Sequence, residues 1–156
     1  MKTVIAAALG ECVHVAGVSN FLRLAEVAGW RTEFLGPAVP VEEMLKAVTK
    51  AAESVPPEEL MVGVSYRLTP ETGERLLVQF AEEFTHLHGS GGRFDFAGTP
   101  PVAERVVEIG FFEKIVDGSE TPEQVLAYLK GQPAGDLTQA DYPQRAVDRI
   151  NWRAPY

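Results

Sequence analysis

The sequence predicts an α/β fold with a five-stranded parallel sheet and helices on both faces. Short apolar runs alternate along the chain with longer amphipathic segments, which is the pattern of repeated βα units. The first run, residues 3–9, is almost purely apolar, as expected of a strand that is covered on both sides. With 156 residues and 46 % hydrophobic content, the chain is long enough to form one domain with a continuous core.

Five βα units follow from this pattern. Gly29 marks the end of the first helix, and Thr69 followed by Pro70 is a favourable start for the third. We expect residues 86–92 to be a flexible link and residues 132–156, which several prolines interrupt, to be a tail or linker after a domain of residues 1–131. The predicted strands are residues 3–9, 32–35, 60–65, 93–97 and 114–116, and the predicted helices are residues 18–28, 40–52, 70–84, 101–109 and 122–129.

Topological rules then restrict the order of the strands. Because crossovers between parallel strands are right-handed, the common arrangement for five βα units is the flavodoxin-like (Rossmann-like) order 2-1-3-4-5. Ligands of such sheets bind beyond the carboxyl ends of the strands, near the point where the strand order reverses. We therefore expect the functional site in the loops after strands one, three and four.

Composition excludes several classes of function. A net charge of −8 disfavours binding to nucleic acid, and no apolar run approaches the roughly 18 residues of a membrane span. The single cysteine permits no internal disulfide, which is typical of a cytoplasmic protein. We expect a cytoplasmic protein with no nucleic-acid or membrane partner.

The loop after the first strand, residues 10–17, contains the first candidate ligand. His14 is flanked there by small and apolar residues, and a neutral imidazole in such a loop can bind a transition metal. A histidine that is hydrogen-bonded to a carbonyl is the alternative interpretation. A structural zinc site is disfavoured, because Cys12 is the only cysteine and the other two histidines, His86 and His88, lie far along the chain.

Four segments of the sequence together resemble one family. Residues 12–17 match its first loop, Asp-x-His-x-x-Gly, except that Cys12 stands at the aspartate. Residues 29–40 are similar to its glycine, strand, Leu-Gly and proline pattern, and residues 62–69 to its Gly-x-Ser segment with a following Leu-Thr. Residues 96–100 are similar to its Gly-Gly-x-Pro turn, with Ala97 at the first glycine. The family is that of the cobalamin (corrinoid)-binding domains of methionine synthase, corrinoid methyltransfer proteins and cobalamin-dependent mutases, and the resemblance covers about residues 3–130.

The resemblance implies cobalamin as cofactor, in its methylcobalamin or adenosylcobalamin form. The nucleotide tail would lie in a crevice between strands one and three, with its benzimidazole displaced from the cobalt and His14 as the lower cobalt ligand. Ser65 would hydrogen-bond the buried benzimidazole nitrogen, and Gly17 and Gly98 would leave room for the tail. The implied cofactor-binding residues are Cys12, Val13, His14, Val15, Gly17, Ser65, Leu68, Thr69, Ala97, Gly98 and Thr99.

Cys12 is the one departure from the family pattern that affects the metal. The family's aspartate orients the histidine through a hydrogen bond and raises its basicity, and a thiol accepts such a bond less strongly. We expect weaker or pH-altered cobalt ligation, or a cofactor bound without the histidine. Cys12 as a soft cobalt ligand is a further alternative to a buried, inert thiol.

The resemblance leaves three functions open. The first is a module that presents the corrinoid to a catalytic partner domain or subunit, either a methyltransferase or a mutase. Methyltransfer members of the family usually carry a helical cap segment before this fold, whereas the first predicted strand here starts at Thr3. This leans towards a mutase-type subunit, or towards a domain whose chain continues past Tyr156. The second is a non-catalytic cobalamin carrier or sensor, and the third is a flavodoxin-like interaction domain that has lost the cofactor. Association into a homo-oligomer is also left open.

Overall fold

The computed structural model describes residues 2–131, which contain every predicted βα unit. The predicted tail, residues 132–156, lies outside the described residues, so the domain division stays a prediction. In chain order the elements are β1 (Thr3–Ala8), α1 (Ala16–Val27), β2 (Arg31–Phe34), α2 (Val41–Ala51), a short 3-10 helix (Pro57–Glu59), β3 (Leu60–Tyr66), α3 (Pro70–Gly89), β4 (Arg93–Gly98), α4 (Pro100–Val107), β5 (Lys114–Val116) and α5 (Pro122–Lys130).

The strands form one parallel sheet in the order β2-β1-β3-β4-β5, which confirms the predicted flavodoxin-like topology. The strand order reverses between β1 and β3, which are direct neighbours. The register pairs Ala8 at the end of β1 with Ser65 near the end of β3. The loop after β1 and the end of β3 therefore meet at the carboxyl edge of the sheet, where ligands of such folds bind.

Both faces of the sheet are covered by helices. α2, α3 and α4 pack on one face, and α1 and α5 pack on the other. β1 and β3 are buried at every position because they lie inside the sheet between the two helical layers. This explains why both strands are almost continuous apolar runs and do not alternate with polar residues.

A cluster of phenylalanine rings fills the face under α3 and α4. Phe80 is fully buried, and its ring centroid lies 4.4 Å from that of Phe84 and 6.0 Å from that of Phe94. The rings of Phe111 and Phe112 close the cluster at 6.2 and 5.9 Å from Phe80. Aromatic pairs at these distances bury large apolar areas and favour tilted and edge contacts, so this face is densely packed.

The other face carries much smaller side chains from the central strands. Ala6, Gly63 and Ala97, on β1, β3 and β4, lie towards α1 on this face. The indole N–H of Trp30 donates to the backbone carbonyl of Leu129 at 2.9 Å and ties the chain before β2 to the end of α5. This hydrogen bond fixes the end of α5 on a face of the sheet where the central strands carry small side chains.

The predicted flexible link at residues 86–92 is wrong in its first half. α3 continues to Gly89, because Leu87 extends the apolar stripe of Phe80 and Phe84 by a further three residues and is buried. His88 is consequently not a solvated linker residue: its Nε2 lies 2.9 Å from Glu113 Oε1 and its ring centroid 4.6 Å from that of Phe111.

The first helix also differs from its predicted start. α1 begins at Ala16, two residues earlier than predicted, so that Gly17 lies in its first turn. No helix among residues 2–131 is both long enough and apolar enough to cross a membrane.

Candidate functional site

The loop between β1 and α1 is held at the carboxyl edge of the sheet by backbone hydrogen bonds. The Leu9 amide donates to the Ser65 carbonyl at 2.9 Å, and the Cys12 carbonyl accepts from the Ala38 amide at 2.9 Å. Cys12 is fully buried beneath the loop, whereas the neighbouring Val13 is 62 % exposed. His14 is half-buried. It lies at the carboxyl edge of the sheet, near the point where the strand order reverses, which is where ligands of such folds bind.

The side chains of Cys12 and His14 contact each other directly. Cys12 Sγ lies 3.7 Å from His14 Nδ1, a distance at which a thiol and an imidazole form a weak hydrogen bond. The contact occupies Nδ1, so Nε2 is the nitrogen that can bind a metal. Cys12, which the resemblance aligns with the family's aspartate, thus lies against the histidine, and as a fully buried thiol it has no surface with which to bind cobalt itself.

A narrow cleft opens between the sheet and α1. It encloses about 30 Å³ of free space, which is room for about two water molecules. The crevice was predicted between strands one and three, and the structure extends it across β4 to β5. The lining residues are Ala6, Gly17, Val18, Phe21, Gly63, Val64, Ser65, Asp95, Phe96, Ala97 and Val116.

Missing side chains create this cleft. Gly17 and Gly63 both line it, and a methyl group built on Gly63 would meet only Ala6 Cβ at 3.6 Å and Phe21 Cε1 at 4.0 Å. Phe21 is half-buried and forms part of the outer wall on α1. Because the free space is smaller than a nucleotide base, a base enters only if Phe21 or α1 moves outward.

Ser65 places an unsatisfied polar atom in the cleft. Its residue is 1 % exposed, and its Oγ has no hydrogen-bond partner among the described residues. Ser65 does not cap a helix, because the N-cap residue of α3 is Thr69. Leaving a buried hydroxyl unpaired costs about 1–3 kcal/mol, so a ligand that accepts or donates a hydrogen bond here gains that amount. The apolar cleft with its single Ser65 hydroxyl thus fits a flat, mostly apolar group that carries one polar ring atom.

Asp95 is a second polar group in the cleft, and sequence reasoning did not select it. Its Oδ1 accepts a 2.8 Å hydrogen bond from the Tyr128 hydroxyl, while its Oδ2 has no partner among residues 2–131. The sequence signal was an acid between Phe94 and Phe96 in an apolar strand, a position where a charge is costly without a partner. Asp95 is 5 % exposed, and it belongs to the cleft lining.

Burial raises the pKa of Asp95 to about 7, which is far above the usual range of a carboxyl group. The Tyr128 hydrogen bond and the Arg93 and Lys114 charges lower this pKa, and Glu113 raises it, but desolvation dominates. Burial also raises the pKa of Tyr128, so its hydroxyl remains a donor at neutral pH. Asp95 is therefore a carboxyl group that changes charge near neutrality beside a narrow, mostly apolar cleft.

The other predicted residues lie around the mouth of the site. Gly17, Ser65 and Ala97 line the cleft. Leu68 is 41 % exposed on the loop after β3, and Thr69 is the N-cap residue of α3, without a side-chain capping bond. The remaining positions are Val15, which is the N-cap residue of α1, and Thr99, which is the N-cap residue of α4.

Gly98 was predicted to leave room for the cofactor tail, but close packing inside the sheet already requires a glycine at this position. A Cβ atom at this position would lie 2.6 Å from the Tyr66 carbonyl oxygen and 2.8 Å from the Phe96 ring. Gly98 is not among the lining residues of the cleft. The contact with the neighbouring strand is sufficient to exclude any side chain there, whether or not a ligand passes nearby.

The arrangement limits the kind of metal that could bind. No group of three His, Cys, Asp or Glu side chains within residues 2–131 is placed to hold an ion. His14 can provide one ligand from its position beside the cleft. A single protein ligand suits a metal whose other positions are already filled by a macrocycle, as in a corrinoid.

Three solved structures with a similar fold are a cobalamin-binding protein, a corrinoid protein and a cobalamin methyltransferase complex. A cobalamin-binding protein from Desulfitobacterium hafniense DCB-2 is 20 % identical with a TM-score of 0.61, over 82 % of this chain and 55 % of that one. The monomethylamine corrinoid protein of Methanosarcina barkeri is 15 % identical with a TM-score of 0.65, over 84 % and 58 %. The methanol:cobalamin methyltransferase complex of the same organism matches at 19 % identity and a TM-score of 0.60, over 91 % and 52 %.

These comparisons confirm the predicted resemblance to cobalamin-binding domains as a likeness of fold. The chain spans only about half the length of each structure that it matches. No protein-family model and no curated protein sequence matches the chain.

Proposed function

We propose that this protein binds a corrinoid cofactor through its nucleotide tail, which enters the cleft beside α1. The observation that carries the proposal is the buried Oγ of Ser65, which has no hydrogen-bond partner among residues 2–131 and lies at an apolar cleft where the strand order of the sheet reverses. The fold shared with corrinoid-binding proteins supports it. A binding group without a partner in such a cleft is a site that a ligand completes.

The chain's own residues would divide the binding between them. The Ser65 hydroxyl would donate to the ring nitrogen of the lower base, and the base would lie beside Gly17 and Gly63 once Phe21 or α1 has moved outward. His14 would offer Nε2 as the lower cobalt ligand, with Nδ1 held by Cys12. The bound corrinoid would supply the cobalt-centred chemistry, which the protein by itself cannot provide.

Cys12 tunes this arrangement. A thiol 3.7 Å from Nδ1 orients the imidazole but raises its basicity less than a carboxylate would. The result is a histidine that binds cobalt more weakly than one backed by an aspartate. A reduced, buried Cys12 also agrees with the cytoplasmic location that we propose.

We further propose that the protein presents methylcobalamin to a methyltransferase partner. Two of the structures with this fold are a monomethylamine corrinoid protein and a methanol:cobalamin methyltransferase complex. These names favour methyl transfer over the mutase-type role to which the sequence leaned. A carrier that only stores the cofactor is the second candidate, because the site itself contains no catalytic group apart from the cobalt ligand.

The test is binding to three pure corrinoids. The protein is mixed with hydroxocobalamin, methylcobalamin or adenosylcobalamin and then separated by gel filtration, with absorbance spectra recorded before and after. We expect co-elution together with the spectral change that accompanies replacement of the lower base by histidine. Tighter binding of methylcobalamin would support methyl transfer, and tighter binding of adenosylcobalamin would favour a mutase. The absence of co-elution with all three would refute the proposal.

Two variants separate the roles of the site residues. His14→Ala should keep co-elution through the tail but lose the histidine signature in the spectrum, while His86→Ala, on an exposed position of α3, serves as the matched control. Ser65→Ala removes one hydrogen bond to the base and should weaken binding by about 2- to 10-fold. An unchanged spectrum in His14→Ala would exclude this residue as the cobalt ligand.

A further inference from the structure

The outer side of β2 is an unpaired strand edge. Among the described strands β2 pairs only with β1, and it lies at one end of the sheet. The Arg31 amide donates to the carbonyl of Lys2, just before β1, at 2.9 Å. Because alternate residues of a strand turn their backbone groups to opposite sides, Thr32 and Phe34 present their N–H and C=O groups outward. These are the groups that a further strand would bind.

Two opposite charges lie on one face of this edge strand. Arg31 and Glu33 are both exposed, and neither forms an ion pair with a residue in the described part of the chain. Thr32 faces α1, since its hydroxyl donates to Glu26 Oε1 at 2.8 Å, so Arg31 and Glu33 point to the other face. A row of like charges keeps a second strand away, whereas a cation and an anion two residues apart complement an antiparallel copy of themselves.

The hydrogen-bonding pattern fixes the register of such a pair. With a two-fold axis at Thr32, the two Thr32 residues exchange both backbone hydrogen bonds, and Arg31 of each copy lies opposite Glu33 of the other. These flanking positions are the non-hydrogen-bonded pairs, whose side chains approach most closely. Phe34, which is 39 % exposed, then lies opposite Trp30 of the second copy and loses exposed surface. An axis at Glu33 would instead place two carboxylates opposite each other.

The edge at the other end of the sheet differs. β5 has only three residues, and its Lys114 is half-buried, with Nζ 5.7 Å from the centroid of the Tyr128 ring. The charge on β5 is therefore used inside the domain. Of the two edges, only β2 carries an exposed, self-complementary pair of charges among the residues that the structure describes.

We propose that two copies of this chain associate through β2, which joins their sheets into one continuous sheet with Arg31–Glu33 ion pairs on both sides of a two-fold axis. β2 contributes no residue to the lining of the cleft, so the proposal does not depend on corrinoid binding. A four-residue strand with exposed ion pairs makes a weak contact. The dimer should therefore dissociate on dilution and be weakened by salt.

The experiment measures sedimentation of the full chain over a dilution series at low salt. We expect wild type to show a monomer–dimer equilibrium, and Arg31→Glu or Glu33→Arg to associate about tenfold more weakly, because each places like charges opposite each other twice. Glu104→Arg, at an exposed position of α4, changes the net charge as Glu33→Arg does and should associate like wild type. A wild-type protein that stays monomeric throughout the series would overturn the inference.

Mixing the two weakened variants tests the register itself. In a mixed pair, both acidic side chains of the Arg31→Glu chain lie opposite both arginines of the Glu33→Arg chain. We expect the equal mixture to form a heterodimer at about wild-type affinity, and the double substitution Arg31→Glu with Glu33→Arg to restore the homodimer. A folding defect would not be rescued by mixing. Absence of the heterodimer, or a dimer that persists in both single variants, would exclude β2 as the interface.

Discussion

The two faces of the sheet are packed in opposite ways. Under α3 and α4, four phenylalanines are fully or almost fully buried; the rings of three of them, Phe80, Phe84 and Phe94, contact one another, and the fourth, Phe96, contacts the ring of Phe112. Under α1, the central strands contribute alanine, glycine and serine, and a cleft remains. Both faces belong to the same strands, since successive side chains of β3 and β4 point to opposite sides.

The comparison shows which face of the sheet is packed less favourably. The phenylalanine face is closed, and within it packing is dense. The cleft face leaves Ser65 Oγ and Asp95 Oδ2 buried and unpaired, an arrangement that costs free energy in the absence of a ligand. Free space and unpaired buried polar atoms beside densely packed structure are typical of a binding site.

The largest expected effect is closure of the cleft by Gly63→Val. A Cβ atom fits at this position, and the two further methyl groups would occupy the little free space that remains. We expect corrinoid co-elution to be lost, while urea unfolding is unchanged or shifted to higher urea, since valine favours a strand. Gly63→Ala, which adds only the tolerated methyl, should bind with intermediate affinity. Full binding by the valine variant would place the tail elsewhere.

On the opposite face, Phe80→Ala should lower the free energy of unfolding by about 3–5 kcal/mol, because it leaves a cavity at the centre of the ring cluster. Phe21→Ala in the wall of the cleft should cost much less, since Phe21 is half-buried. Urea unfolding measures both. Corrinoid affinity should rise in the Phe21 variant, because the base then enters without displacing a ring, and stay unchanged in folded Phe80→Ala. If Phe80→Ala and Phe21→Ala lowered the free energy of unfolding equally, the inferred difference in packing between the two faces would be wrong.

Asp95 should make stability depend on pH. Its pKa is raised to about 7 in the folded protein, so the folded state keeps a proton that the unfolded state loses from about pH 4 upward. Its contribution is complete below pH 4 and is lost as pH rises to about 7, at about 1.4 kcal/mol per pH unit and about 4 kcal/mol in all.

The variant Asp95→Asn should remove that slope, since an amide can accept from Tyr128 without titrating. It should therefore be more stable than wild type at pH 8, as measured by urea unfolding across this range. Asp117→Asn is the opposite control: hydrogen bonds from Ser119 lower the pKa of Asp117, so its loss should destabilise the protein near neutrality. A wild-type slope retained in Asp95→Asn would contradict the assignment.

The smallest expected effect concerns the loop at the mouth of the cleft. Cys12→Asp would place a carboxylate beside His14 Nδ1, and such partners change metal affinity by about 10- to 100-fold. We expect the variant to shift the cobalt spectrum further towards histidine ligation, with some loss of stability because the site is buried. Cys12→Ser is the neutral control. A spectrum identical to wild type in Cys12→Asp would show that this contact does not tune the histidine.

Local sequence pattern was sufficient for most of the fold. β1 and β3 are buried on both sides and therefore appear in sequence as continuous apolar runs, which identify them as central parallel strands. The end of α3 could not be placed in this way, because the glycines at residues 89–92 indicate a loop. Only the packing of Leu87 and His88 against the neighbouring elements extends the helix into that region.

The site was predicted unevenly. The contact between Cys12 and His14 joins residues two apart, so the sequence could indicate it, and Ser65 was found through the family resemblance. Asp95 was missed, since its importance comes from lying beside Gly63 on the neighbouring strand. Gly98 was given a role in cofactor access, although the Tyr66 carbonyl alone already requires a glycine there.

By itself, then, the sequence determined the succession of βα units, the strand order and the loop that holds His14, because these depend on hydrophobic periodicity and on the handedness of the connections. The tertiary structure decided which small residues lie opposite one another and so where space remains. It also decided which polar atoms are left without partners. The free space and the unpaired atoms both depend on the register between strands that are distant in sequence, and this register cannot be predicted from a local sequence pattern.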